Sequence, residues 1–181
     1  YQAEFNEMFE NQDFGIRSEP SNTGNFTQSG VPIQVYFASE NNVISVLLNE
    51  ITNAQSTIRF MTFSFTRDDL GLALLAEADT GVNVQGVFET VGSETSFSEF
   101  PRLHCAGLDV RQDGNNGILH HKVFIIDEAT VITGSFNYSN NAVESNDENV
   151  LIIRDADIAA LYTDEFLRVQ SIARIADDID C

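Results

Sequence analysis

The sequence predicts an α/β fold, a mixed β-sheet with helices packed on both faces. Three observations carry this reading. From residue 33 onward, short apolar runs rich in β-branched and aromatic residues alternate with longer stretches of helical periodicity. The run at 57–65 is almost continuously apolar, as expected of a central strand covered on both faces. Two later apolar runs, 123–126 and 130–133, are separated by Asp127-Glu128-Ala129. That turn makes them an antiparallel hairpin, and the sheet is therefore mixed.

Residues 1–15 have the pattern of an amphipathic helix with Phe5, Met8 and Phe9 on one side. Residues 16–30 are polar, with one Pro and two Gly, and read as a linker. Residues 33–38 form a strand. Asn42 caps a helix that buries Val43, Ile44, Leu47, Leu48 and Ile51. The central strand at 57–65 follows, then a helix from Asp68 to Ala78 stopped at Gly81. Residues 82–88 give a third strand, 90–100 a looser segment, 101–106 a short helix ended by Gly107, and 108–111 a fourth strand. Gly114-Asn115-Asn116-Gly117 is a flexible lead-in to the hairpin. Residues 149–153 form the last strand and 155–176 the final helix.

At 181 residues and 43% apolar content, the chain suits one domain with a sizeable core, placed here at 31–181. Tyr1-Gln2-Ala3-Glu4-Phe5 echoes Tyr162-Thr163-Asp164-Glu165-Phe166 near the other end. On that echo, residues 1–15 are expected to be the terminal helix of a preceding unit. No run of 18 apolar residues is present, so no transmembrane segment is expected, and no charged-then-apolar leader opens the sequence. The compartment stays open, with a secreted or cell-envelope setting compatible. A net charge of −19 opposes nonspecific binding to nucleic acid or anionic lipid unless positive potential is concentrated locally. Cys105 and Cys181 allow one disulfide in an oxidising compartment or two thiols. His104 beside Cys105 reads as packing. Without a His/Cys/Asp cluster at metal spacing, neither a metal nor another cofactor is expected.

The chemistry concentrates in the hairpin. Side chains alternate along a strand, so His120 and Lys122 share one face and His121 points the other way. Ser135 and Asn137, also two apart, share a face at the end of the second run. Folding the hairpin back brings an imidazole, an ammonium, a hydroxyl and an amide together, an oxyanion-binding set with a nucleophile in it. Lys122 is the only lysine in the chain, all other basic residues being arginine. A compact ammonium suits a phosphate oxygen.

These residues carry a resemblance. His120-x-Lys122-x4-Asp127-x6-Gly134-Ser135-x-Asn137, followed by Glu148-Asn149, resembles the signature of the phospholipase D (HKD) superfamily. The wording is most similar to its nuclease-like, Nuc/Zucchini-type branch. The motif covers roughly residues 117–154, and the upstream strand–helix order fits the same unit back to about residue 31. The resemblance implies phosphodiester cleavage through a covalent phosphohistidine, without metal. A histidine attacking phosphorus needs its other nitrogen held by an acceptor, and Glu148 is the candidate, as it is in the family. Lys122, Asn137 and Ser135 would stabilise charge on the nonbridging oxygens, each donor worth about 3 kcal/mol. A second histidine must protonate the leaving oxygen. His121 faces away, so the site has to be completed by a second HKD half, in cis or in a homodimer. With the N-terminal echo, the expected whole is a two-HKD protein of which this chain is the C-terminal half. Asp127, about 23 Å from His120 along an extended strand, is expected to be structural, as is Gly134. A nuclease-like substrate is favoured by the motif wording. Phospholipid head groups, or a non-catalytic dimerisation half, are the alternatives.

Overall fold

The computed structural model describes residues 1–15, 23–38, 40–176, 179 and 181. Eight strands form one mixed sheet in the order β1-β2-β8-β7-β6-β3-β4-β5. The strands are β1 (Gly24–Gln28), β2 (Val31–Ala38), β3 (Thr57–Thr62), β4 (Asn83–Phe88), β5 (Asp109–Gln112), β6 (Lys122–Ile126), β7 (Thr130–Gly134) and β8 (Glu148–Arg154). β3, β4 and β5 run parallel to one another, and all other pairings are antiparallel.

Strand alternation divides the apolar residues into two layers. On one face Phe60, Phe124, Ile126, Ile132 and Ile152 pack with Leu47 and Ile51 of α2 (Val43–Thr52) and Leu70 and Leu74 of α3 (Asp68–Thr80). Phe100 of α4 (Glu99–Cys105) and Ala142 of α5 (Asn140–Glu144) complete that layer. On the other face Met61, Val87, Val123, Ile125 and Val131 pack with Ala159, Phe166 and Val169 of α6 (Ala156–Ile172). Both faces are thus covered by helix, as the sequence predicts.

Local chemistry explains the element ends. Asn42 caps α2 by accepting from Ser45 N at 3.1 Å, and Asp155 caps α6 by accepting from Ile158 N at 2.9 Å. Gly81 ends α3 at φ 102°, a left-handed conformation open to glycine.

Several boundaries differ from the sequence reading. Residues 24–28, expected in a linker, instead form β1, an edge strand in a hairpin with β2. Its register pairs Gly24 with Val35 and Gln28 with Val31. Residues 16–22 of that expected linker lie outside the described residues. β3 stops at Thr62 rather than 65, because Phe63 and Ser64 leave the ladder to border the site. β8 begins at Glu148, so that residue is in the strand and not ahead of it. α4 starts at Glu99, where the Ser98 hydroxyl accepts from Phe100 N at 3.2 Å. α6 ends at Ile172 and not 176.

The N-terminal segment touches the sheet region at both of its ends. α1 (Gln2–Asn6) runs into a π-helical turn at Glu7–Asn11. Tyr1 packs edge-on against Phe37 at 5.3 Å, and Gly15 N donates to Asp147 Oδ1 at 2.7 Å. Phe5 and Phe9 stack on each other at 5.3 Å and stay exposed. Of the two states left open for the cysteines, the structure shows the bonded one, Cys105–Cys181, which ties α4 to the chain end.

Two motif residues hold the hairpin in place. Asp127 Oδ1 accepts from Ser56 N, Ser56 Oγ and Thr57 N, and Oδ2 accepts from Gln55 N at 2.8 Å. Burial would raise this carboxyl, but those hydrogen bonds outweigh it and hold its pKa below the usual aspartate value. Gly134 sits at φ 150°, and a Cβ there would lie 2.1 Å from Asn149 O. Gly134→Ala must therefore push β7 from β8 just where Ser135 and Asn149 meet. We expect about 3 kcal/mol of lost stability, read from urea unfolding. An unchanged midpoint would mean that this edge relaxes freely.

Candidate active site

Four backbone segments converge at one end of β6. The β6–β7 ladder pairs Ile126 with Thr130 and Phe124 with Ile132, which brings Lys122 opposite Gly134. Beyond Gly134 the chain runs beside the end of β3, where Tyr138 N donates to Ser64 O and Thr66 N to Tyr138 O. Phe63 N donates to His121 O at 2.8 Å, and Ser135 N to Asn149 O at 3.1 Å. Residues 120–122, 63–66, 135–138 and 148–149 are thereby joined by backbone hydrogen bonds.

His120 lies just ahead of β6 and is exposed. Its ring packs on Phe63 with centroids 4.8 Å apart. Lys122 is only 7% exposed, its Nζ lying 5.0 Å over the same Phe63 ring. That ammonium donates one hydrogen bond, to His120 O at 3.0 Å. Burial holds Lys122 below the ordinary lysine pKa, and the Glu148 carboxylate opposes part of that shift. An ammonium with three donors and, among the described residues, a single acceptor has donors to spare for an anion.

Ser135 Oγ accepts from Asn149 N at 3.0 Å and from Asn149 Nδ2 at 3.3 Å, so its own O–H is the donor left for a ligand. Asn137 Oδ1 is buried without a partner among the described residues. A buried amide end of this kind marks a place for a ligand, and turning the amide over presents Nδ2 as a donor. Glu148 is the carboxylate expected to orient the His120 ring. Its Oε1 accepts from Asn146 Nδ2 at 2.9 Å, so here it is held by Asn146 and felt by Lys122, not bonded to His120.

His121 turns toward α6, its Nε2 3.7 Å from Glu165 Oε1. Burial lowers its pKa against the opposing charge of Glu165. With His120 and Ile118 it borders a shallow recess of about 350 Å3, yet its ring is committed to the α6 side. His104 stacks on Phe100 at 5.6 Å, in line with a packing role.

Two supporting residues were not legible in the sequence. Phe63, the platform under both His120 and Lys122, looked like one more residue of an apolar strand. Glu89 is buried and accepts from Leu119 N at 2.6 Å and from Val91 N at 3.0 Å, fixing the backbone just before His120. A glutamate directly after a buried strand was the available signal. Glu89→Gln puts an amide hydrogen against one of those N–H groups. We expect a fall of tenfold or more in turnover with KM little changed, measured by steady-state kinetics. Equal turnover would show that the loop holds its position without Glu89.

At one end of the α/β sheet a histidine–lysine pair thus lies beside a serine hydroxyl and an asparagine amide. A family model described as "Cardiolipin synthase, PLD-like domain" matches residues 47–170. The chain belongs to this PLD-like family, within the phospholipase D superfamily. It is 34% identical over 126 residues to a mitochondrial cardiolipin hydrolase of Mus musculus, covering 70% of this chain and 57% of that protein. It is 35% identical over 121 residues to a phospholipase D of Rickettsia conorii, covering 67% of this chain and 60% of that protein. The chain therefore spans somewhat over half the length of these curated relatives. Among solved structures, Nuc from Salmonella typhimurium, a phospholipase D family member, superposes with a TM-score of 0.72 at 31% identity. That superposition covers 78% of this chain and 95% of Nuc. The mixed sheet with helices on both faces is the fold of that family.

Proposed function

We propose that the chain is one half of a metal-independent phosphodiester hydrolase that works through a phosphohistidine. The observation that supports this most is the shared Phe63 platform, which sets an exposed imidazole beside a buried, under-bonded ammonium. A neutral nitrogen of one histidine attacks phosphorus, the P–N bond forms and the P–O bond to the leaving alcohol breaks. Lys122 and the Asn137 and Ser135 donors take up the charge on the nonbridging oxygens. A histidine from a second half gives its proton to the leaving oxygen. It then takes a proton from the water that cleaves the P–N bond. The completing half is a homodimer mate or another unit of a longer protein, since His121 turns away from His120 toward α6. In a homodimer His120 fills both roles.

Two substrate readings follow. Nucleic acid is supported by the motif wording and by the likeness to Nuc. A phospholipid head group is supported by the names of the curated relatives, and the charge of −19 disfavours a polyanion. Parallel assays on single-stranded DNA and phosphatidylcholine, each with and without EDTA, decide between them. Cleavage of at least one, unaffected by EDTA, is expected. Inactivity on both, or full inhibition by EDTA, would refute the proposed chemistry.

A further inference from the structure

The end of the sheet that carries Lys122 presents one row of side chains on one face. Phe88 of β4 pairs with Thr62 of β3, Thr62 pairs with Lys122 of β6, Lys122 stands opposite Gly134 of β7, and Gly134 pairs with Val150 of β8. Thr62 has no exposed surface, and its Oγ1 has no hydrogen-bond partner among the described residues. Such an orphan is unusual in a protein interior, because a buried hydroxyl has given up its water. The main chain around it is already fixed from two strands. Glu89 N donates to Thr62 O at 2.8 Å, and Phe63 N donates to His121 O at 2.8 Å. The second bond makes Phe63 and His121 a hydrogen-bonded pair. Thr62 and Lys122 are then the adjoining non-hydrogen-bonded pair, where facing side chains come closest.

Two unmet needs therefore lie side by side. Phe88, Gly134 and Val150 offer no polar side-chain atom, so within this row Lys122 is the group that Thr62 can bond. The ammonium donates to His120 O and has two hydrogens left. Valine has nearly the shape of threonine and would fill this buried place without a hydroxyl to desolvate. We propose that Thr62 is a positioning residue for Lys122, its Oγ1 accepting a second ammonium hydrogen so that the third points at a nonbridging phosphate oxygen. Facing Cβ atoms in such a pair are about 4.5–5.5 Å apart, so rotation about Thr62 χ1 and along the lysine stem closes the bond without moving the backbone. Two protein acceptors then fix where the ammonium sits, which the bond to His120 O alone does not. The catalytic role rests on the phosphodiesterase reading, whereas the Thr62–Lys122 bond itself can be tested without a substrate.

Lys122 is the only lysine in the chain, so protein grown on 13C,15N-lysine gives one lysine side-chain signal whose pH titration is followed by NMR. Burial and the Glu148 carboxylate act on that ammonium in opposite directions, and His120 and His121 are the titratable groups beside it in the chain. All three residues are retained in the variants, so a displaced titration reports the hydroxyl. An acceptor on the ammonium favours its charged form. Thr62→Val is therefore expected to titrate about one pH unit below wild type, and Thr62→Ser together with wild type. Thr62→Val coinciding with wild type, or Thr62→Ser displaced as far as Thr62→Val, would overturn the proposal. Should Thr62→Val not fold, Thr62→Ala lacks the same hydroxyl and takes its place in the comparison. In the catalytic arm, hydrolysis of bis(4-nitrophenyl) phosphate by Thr62→Val is expected to show kcat lowered about tenfold and the alkaline limb displaced downward by the same interval. Thr62→Ser should recover to within about twofold of wild type. A displaced NMR titration with kcat unchanged would also overturn the proposal, since the bond would then position nothing that the reaction uses. A titration displaced in Thr62→Val, with no diester cleaved by wild type, supports the bond and removes the phosphodiesterase reading instead.

Discussion

Replacing His120 by alanine should lower phosphodiester hydrolysis by about four orders of magnitude or more and leave folding almost untouched. The reason lies in where the imidazole sits. It is exposed, its one ring contact among the described residues is with Phe63, and neither core layer includes it. Removing it should therefore shift stability by no more than about 0.5 kcal/mol. The chemical loss does not depend on which role His120 has. As nucleophile it forms the bond to phosphorus, and as general acid it protonates the leaving oxygen, so either loss stalls the first step. In a homodimer the substitution removes both groups together. Brief incubation with a 32P-labelled diester, followed by alkaline quench, should leave label on the wild-type protein. In a homodimer that label sits on His120, and with a separate completing half it can sit on the partner histidine. Residual activity within tenfold of wild type would remove His120 from the chemistry altogether.

How far the sequence reveals this site depends on the range of the interaction that makes each part. The hairpin is local, since two apolar runs and a turn specify it, and its register follows from that. Asp127 is the same case: a carboxylate at a turn, too far along the strand to reach His120, caps the 55–57 segment instead. Glu148 shows the limit. Sequence distance put a carboxylate in the neighbourhood of His120, but whether it bonds His120 or Asn146 is decided by a side-chain rotamer that no pattern encodes. Phe63 and Glu89 were passed over for a related reason. Each acts across the sheet on residues more than 25 positions away, and each has an ordinary explanation where it stands. β1 escaped notice because Gly24–Gln28 is polar and mostly exposed, an edge strand without an apolar face to announce it. The bond between Cys105 and Cys181 needed α4 and the chain end to be brought together by the fold before it could be read.

Lys122→Met separates function from stability in the opposite sense to most core substitutions. The ammonium is buried, with one protein hydrogen bond and a ring face for company, so much of its hydration goes unreplaced. Its pKa is depressed, which means that the unfolded chain holds the proton more tightly than the folded one. At neutral pH the charged lysine therefore costs the fold stability, a cost relieved only as pH rises past the folded pKa. Methionine fills a similar volume without that charge, and the thermal midpoint should stay level or rise. Activity should nevertheless fall by about 10²–10³-fold, the usual loss when one oxyanion donor is removed. The same depressed pKa shapes the wild-type rate profile. Lys122 must be protonated to hold the phosphate, so the alkaline limb should fall below the ordinary lysine range, and Lys122→Met should lack that limb. A variant that lost stability together with activity would recast Lys122 as a structural cation, leaving the chain's single lysine without a phosphate to hold.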